Sequence, residues 1–179
     1  MSPVFLLQEI LNVTVKNLAI INFDRSVDTT GGGNDTFYND YITNTLSGLR
    51  GGVFFWICGG NNITHCTING EPAVYMHLGA SSNSIVENNL SGGFSIEISG
   101  NEHIDRNYFA DYLTRYPNAT EIGNSGTWNT PYQSEEYGSQ TRNNTIVPIA
   151  CGSIQDNHPQ KTLTQCNHIT SRSFHRQRF

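Results

Sequence analysis

The sequence predicts an all-β solenoid of short stacked strands, and three observations carry that expectation. Asn61–Gly70 (NNITHCTING) and Asn83–Gly92 (NSIVENNLSG) superimpose at an offset of 22 residues. Carried outward, the same offset sets Phe54 and Trp56 on Met76 and Leu78, and Val74 and Met76 on Ile96 and Ile98. Asn101–Ala110 (NEHIDRNYFA) follows after a shorter step, with Val86, Glu87, Asn89 and Leu90 matched by Ile104, Asp105, Asn107 and Tyr108. Short alternating apolar runs separated by Gly and Asn, repeated at such a period, are the mark of units that bury their apolar side only by stacking.

Composition agrees. Of 179 residues only 14% are charged and 11% are aromatic, with 21 asparagines and just two lysines, Lys16 and Lys161. No run of helix-favouring residues supports long helices, and Asn, Gly, Ser and Thr are the residues of bends. A net charge of −5 without a basic stripe argues against nucleic acid as a partner. No segment has the roughly 20 apolar residues of a membrane span.

The elements follow in order. Met1–Leu11 lacks the basic start and small-residue cleavage site of a signal peptide and reads as an initial strand. Val13–Phe23 alternates as two short strands hinged at Asn17. Residues 24–50 interrupt the rhythm with GGG and Asp-containing turns and are expected to leave the stack. Gly51–Ala110 is the regular part: in Ala73–Leu78, Val74, Met76 and Leu78 point one way, Tyr75 and His77 the other. Residues 111–141 form a second excursion, rich in Tyr and Trp. Asn143–Ile154 resumes a strand-like pattern, so that 1–154 is the solenoid and 155–179 an irregular basic tail. Cys58, Cys66, Cys151 and Cys166 have no CxxC spacing; they are free buried thiols or form Cys58–Cys66 and Cys151–Cys166 disulfides. Six N-x-S/T sequons, at Asn12, Asn34, Asn62, Asn89, Asn118 and Asn143, are compatible with secretion.

The pattern of Val15–Ile20, Ile63–Ile68, Ile85–Leu90 and Ile104–Phe109, with the strands Val53–Ile57, Val74–Leu78 and Phe94–Ile98, resembles the pectin-lyase-like superfamily. The resemblance implies a right-handed parallel β-helix, here of about five coils. His103–Phe109 (HIDRNYF) followed by Thr120–Gly126 (TEIGNSG) is similar to the alginate lyase and chondroitinase B group. The Lys and Arg on which that group relies have no matching positions here, so no catalytic residue carries over. The paired aspartates and Gly-His-Gly of polygalacturonases are missing as well.

Stacking turns offsets into surface columns spaced about 4.8 Å apart. The repeat sets His65, Glu87 and Asp105 in one column with Arg106 beside it. Carboxylates next to an imidazole and a guanidinium can share a proton, assist proton abstraction beside a uronate, or hold a cation such as Ca²⁺ through oxygen. They equally make a solvated charge ladder. A second outward group is Tyr75 over Glu97, with Phe55 over His77 over Ser99. Rings beside a few fixed polar groups suit a sugar face, or pack beneath an excursion.

The expected protein is therefore an extracellular or cell-surface, carbohydrate-active β-helix with no certain cofactor. Glu87, Asp105, His65 and Arg106 are the candidate catalytic group for β-elimination or hydrolysis of a polysaccharide, and Tyr75, His77 and Glu97 the candidate sugar contacts. The alternative is a solenoid without an active site, serving as a surface or adhesion module. A periplasmic metal-handling solenoid is a third class.

Overall fold

The computed structural model describes residues 4–21, 23, 25–44, 51–96, 101–125, 127–133, 135–136 and 155–156. Five triplets of short strands wind through it, making about four turns. They are β1 (Val4–Gln8), β2 (Thr14–Lys16) and β3 (Ala19–Ile21); β4 (Arg25–Thr30), β5 (Thr36–Tyr38) and β6 (Tyr41–Thr43); β7 (Val53–Trp56), β8 (Asn62–Thr64) and β9 (Thr67–Asn69); β10 (Val74–Met76), β11 (Ser84–Val86) and β12 (Asn89–Ser91); β13 (Phe94–Ile96), β14 (His103–Asp105) and β15 (Tyr108–Phe109). Beyond them lie the helical turn α1 (Tyr112–Arg115), β16 (Tyr132–Gln133), β17 (Glu135–Glu136) and β18 (Gln155–Asp156).

Three parallel sheets result. The first runs β1-β4-β7-β10-β13-β17, the second is built from β2, β5, β8, β11 and β14, and the third from β3, β6, β9, β12 and β15. β16 and β18 pair antiparallel. The chain is thus an all-β parallel solenoid, as the repeat predicts.

One inward residue per short strand builds the core. Val15, Phe37, Ile63, Ile85 and Ile104 stack behind the second sheet; Ile20, Ile42, Ile68, Leu90 and Phe109 stack behind the third. Val27, Val53, Val74 and Phe94, with Phe55 and Met76, fill the side of the first. Each such side chain contributes about 1.5–3 kcal/mol by leaving water.

The corners need residues at positive φ, and asparagine supplies many of them. Asn17, Asn39, His65, Glu87 and Arg106 stand at φ 56°, 53°, 58°, 58° and 53°, one in each coil, between the second and third sheets. The hinge expected at Asn17 is the first of them.

Buried Asn and Asp side chains have another use. Where the backbone turns in at a corner, an N–H has no strand partner, and the side chain of the next coil accepts it. Asp35 Oδ1 takes Val13 N–H, Asn61 takes Asp35 N–H, Asn83 takes Asn61 N–H and Glu102 takes Asn83 N–H, at 2.7–3.0 Å. A second ladder runs in the same way through Leu18, Asp40, Cys66, Asn88 and Asn107, with the sulfur of Cys66 as one acceptor. Such ladders answer the requirement that buried amides find partners.

Four expectations need correction. Residues 25–43 are not an excursion: β4, β5 and β6 are a full coil, paired on both sides. The features that look like breaks are parts of it, since Gly33 bridges Leu11 and Gly59, and Asp35 and Asp40 are ladder members. The common offset of 22 also holds only at some steps of the second and third sheets and nowhere in the regular part of the first. The register advances 21 residues from Val53 to Val74, 20 from Val74 to Phe94 and 19 from Ile85 to Ile104. Phe54 therefore lies on Tyr75, Phe55 on Met76 and Tyr75 on Ser95. Corner lengths differ between coils, and a slip of one residue exchanges the faces of a strand. Leu78 lies past the end of β10 and is exposed rather than inward.

Residues 111–133 do leave the stack, but they fold over its end. The ring of Tyr132 lies 3.7 Å from that of Phe109, nearly parallel, and contacts Phe94 as well. Tyr112 stacks on Trp128, and Tyr112 and Tyr132 join the core cluster. The Tyr132 hydroxyl donates to Asp111 and accepts from Arg115 at 3.1 Å. Burial, with the Asp111 charge adding to it, pushes the phenol pKa up. The expected groove wall is instead an aromatic lid on the last full coil, which a solenoid needs. The tail expected to be irregular contributes Gln155–Asp156 as β18; Asn143–Ile154 lies outside the described residues.

Candidate functional site

Among the described residues, a group of four ionisable side chains lies on the corner that follows the second sheet. His65, Glu87 and Arg106 each occupy the positive-φ position there, so their side chains project from one edge in successive coils. His65 Nε2 is 3.5 Å from Glu87 Oε2, and Arg106 reaches Glu87 Oε1 at 2.9 Å. Arg106 Nε lies 3.3 Å from Asp105 Oδ2. On the other side, the His65 ring rests 5.4 Å from that of Tyr38, and Nδ1 is 2.8 Å from the Thr64 hydroxyl.

The four residues expected as a catalytic group are thus brought together, with one change. Asp105 pairs in register with Val86 and Thr64, and it is Arg106 that continues the column of His65 and Glu87. The shorter step of 19 residues into the fifth coil moves the match by one. Asp105 still reaches the group, because Arg106 spans both carboxylates as a charge-assisted fork.

The group stands on an open ridge. The side chains of Arg106, His65, Glu87 and Asp105 are 49%, 36%, 31% and 21% exposed. It adjoins the outer face of the second sheet, where Thr14, Thr36, Asn62, Ser84 and His103 stack in one column. Lys16, Tyr38, Thr64, Val86 and Asp105 stack in the next. Tyr38, exposed on this face, is a member that sequence reasoning missed. It lies in the segment taken for an excursion, and its alignment with Thr64 is visible only when that segment counts as a coil.

Tyr75 and His77, the expected sugar contacts, do share the outward side of the first sheet, with ring centroids 5.7 Å apart. Phe54 and Trp56 pack with them, and Arg25 lies over Phe54 at 4.9 Å while pairing with Asp28. Phe54 has no exposed surface and Tyr75 has 7%. This is a packed aromatic cluster in which Phe54 and Tyr75 are buried and Trp56 and His77 are half-buried. Glu97 lies outside the described residues, and Ser95 is the residue in register with Tyr75.

Cys58 and Cys66 are buried thiols and do not form a disulfide with each other; Cys151 and Cys166 lie outside the described residues. Among the described residues no three His, Cys, Asp or Glu side chains converge so as to hold a metal, the candidate calcium ligands included. No helix among them is long and apolar enough to cross a membrane. Of the sequons, Asn89 is buried with its amide donating to Thr67, so it has no room for a glycan in the folded chain. Asn12, Asn34 and Asn118 are exposed.

Fold and ridge together define a parallel β-solenoid with a polar, partly aromatic outer strip. Comparison with protein-family models, with curated proteins and with solved structures finds no match to this chain.

Proposed function

We propose that this chain is an extracellular glycan-binding solenoid, which holds an extended polysaccharide along the outer face of its second sheet without cleaving it. The observation that supports this reading is the strip itself. Hydroxyl and amide groups recur on the first four rungs, the exposed Tyr38 ring lies beside His65, and fixed charges close one end. An elongated ligand of repeating units meets the same groups again at each step, while a ring supplies apolar contact.

Charge narrows the ligand. Lys16 and Arg106 balance Glu87 and Asp105 along the strip, so nothing there draws a polyanion. Neutral glycans are expected to bind before polyuronates. Binding is favoured over cleavage because Arg106 already occupies both carboxylates and the four side chains stand open to water at 21–49% exposure. The repeat of Ile63–Ile68 and Ile85–Leu90 supports kinship with the pectin-lyase-like superfamily at the level of architecture alone.

Thermal unfolding of the full chain against neutral and uronate-containing glycans tests this, since a ligand of the folded state raises the midpoint. The expected result is a shift with a neutral glycan, at least about tenfold weaker binding in Tyr38→Ala, and no new reducing or unsaturated ends. Release of unsaturated ends that Glu87→Gln abolishes would replace binding by β-elimination at the ridge. No shift with any glycan, or an unaffected Tyr38→Ala, removes the reading.

A further inference from the structure

In the two buried ladders Asn61, Asn88 and Asn107 both accept and donate, whereas the Nδ2 of Asn83 is buried without a partner among the described residues. In the fourth coil Asn88 accepts an amide through Oδ1 and donates through Nδ2, to Asn107 Oδ1, Ile63 O and Val86 O. Asn61 does the same in the third, giving Nδ2 to Asn83 Oδ1 and Cys58 Sγ. The second coil carries Asp35 and Asp40 at these positions. Each Oδ1 accepts its amide, from Val13 or Leu18, at 2.8 Å. Each Oδ2 stands where asparagine has its donor, and both are buried without a hydrogen-bond partner among the described residues. The two side chains belong to residues 0% and 1% exposed.

We propose that Asp35 and Asp40 are an acid latch for the first coil. Protonated, each carboxyl is neutral and its O–H serves as the donor that Nδ2 is elsewhere in the ladder. Ionised, each is a buried charge with one bare oxygen, and lifting the first coil lets water reach it. Among the described residues that coil pairs only with the second, so it can part from a single neighbour.

Burial raises Asp35 and takes Asp40 up to about 6, against the opposing pull of their amide bonds. Glu102, the acceptor of the fifth coil, is raised to about 7 by burial too, again with one bare oxygen. Among the described residues, the titratable groups beside these acids in the ladders are thiols. Cys66 Sγ lies on Asp40 N–H, and Cys58, raised first by its own burial, also senses Glu102. A neutral thiol supplies no countercharge. The folded state therefore binds more protons than the unfolded one between about pH 4 and 7, and stability is full below that window and lost as pH rises through it.

The experiment is thermal unfolding of the full chain between pH 7.5 and 5, with amide exchange of the first and third coils corrected for intrinsic rates. The midpoint is expected to rise by several degrees on acidification, while first-coil exchange slows relative to the third. Asp35→Asn/Asp40→Asn is expected to melt higher than wild type at pH 7.5 and to lose more than half of the acid gain, the rest residing in Glu102. A flat or falling wild-type midpoint overturns the latch. So does a double variant that melts lower at pH 7.5, fails to fold, or keeps the whole gain. First-coil exchange in step with the third at both pH values rejects the docking role even where the midpoints agree.

Discussion

Asn107 Oδ1 accepts two hydrogen bonds from Asn88, one from its backbone N–H at 2.9 Å and one from Nδ2 at 3.0 Å. Neither residue has exposed surface, and Asn107 Nδ2 continues to Ile85 O at 2.8 Å. One side chain thus ties the fifth coil to the fourth through groups that have no water to turn to.

Asn107→Ala is expected to cost about 2–4 kcal/mol, because it strands a buried amide and a carbonyl and removes their bonds together. Urea unfolding measures it. A loss below about 1 kcal/mol would mean that the stranded groups find other partners.

The lid makes a separate prediction at Tyr132. Tyr132→Ala removes the ring stacked on Phe109 and uncovers Phe94, which should cost about 3–5 kcal/mol and make the chain prone to associate through its open end. Tyr132→Phe keeps the stack and loses only the contacts to Asp111 and Arg115, for about 1 kcal/mol. Denaturant titration of both variants separates packing from hydrogen bonding. Equal losses would contradict the stacked arrangement.

Ile57 stands at φ 50° with 58% of its surface exposed, where the coil before it has Gly31 at φ 70°. A β-branched residue pays for the left-handed region by about 1–2 kcal/mol, and its side chain recovers little from burial. Ile57→Gly is therefore expected to raise stability by roughly 1 kcal/mol, read as a higher unfolding midpoint. A fall would show that the Ile57 side chain has a packing role outweighing its backbone.

Opposite behaviour is expected at Gly92. It has φ 100°, and a Cβ there would overlap the carbonyl oxygen of Gly70 in the adjoining coil. Gly92→Ala should leave little folded protein at 37 °C, seen as loss of the cooperative transition in circular dichroism.

Arg106→Ala tests whether the ridge matters to folding. Its partners are exposed enough for water to screen them, so the change should alter stability by less than about 1 kcal/mol. A larger loss in urea unfolding would make the ridge a structural clamp and weaken its claim as a binding strip.

The solenoid itself was legible in the sequence. Ile63 and Ile85 recur because each short strand must supply an inward apolar residue at the same place. That necessity is local and writes itself into the chain as a period, while Asn107 falls on Asn88 and not on Asn89 as the repeat suggests. The gathering of His65, Glu87, Asp105 and Arg106 was legible too, since residues close in phase on neighbouring rungs meet whatever the details. Register was not. It depends on how many residues each corner takes, and that number is set by which backbone amides can reach an acceptor in the coil above. Hence Asp105 moved one place, Tyr75 came to lie on Ser95, and residues 25–43 rejoined the stack with Tyr38 facing out. Only the tertiary structure decided which polar side chains turn inward as ladder and which outward as ridge, because a strand exposes both faces to the sequence alike and only packing chooses between them.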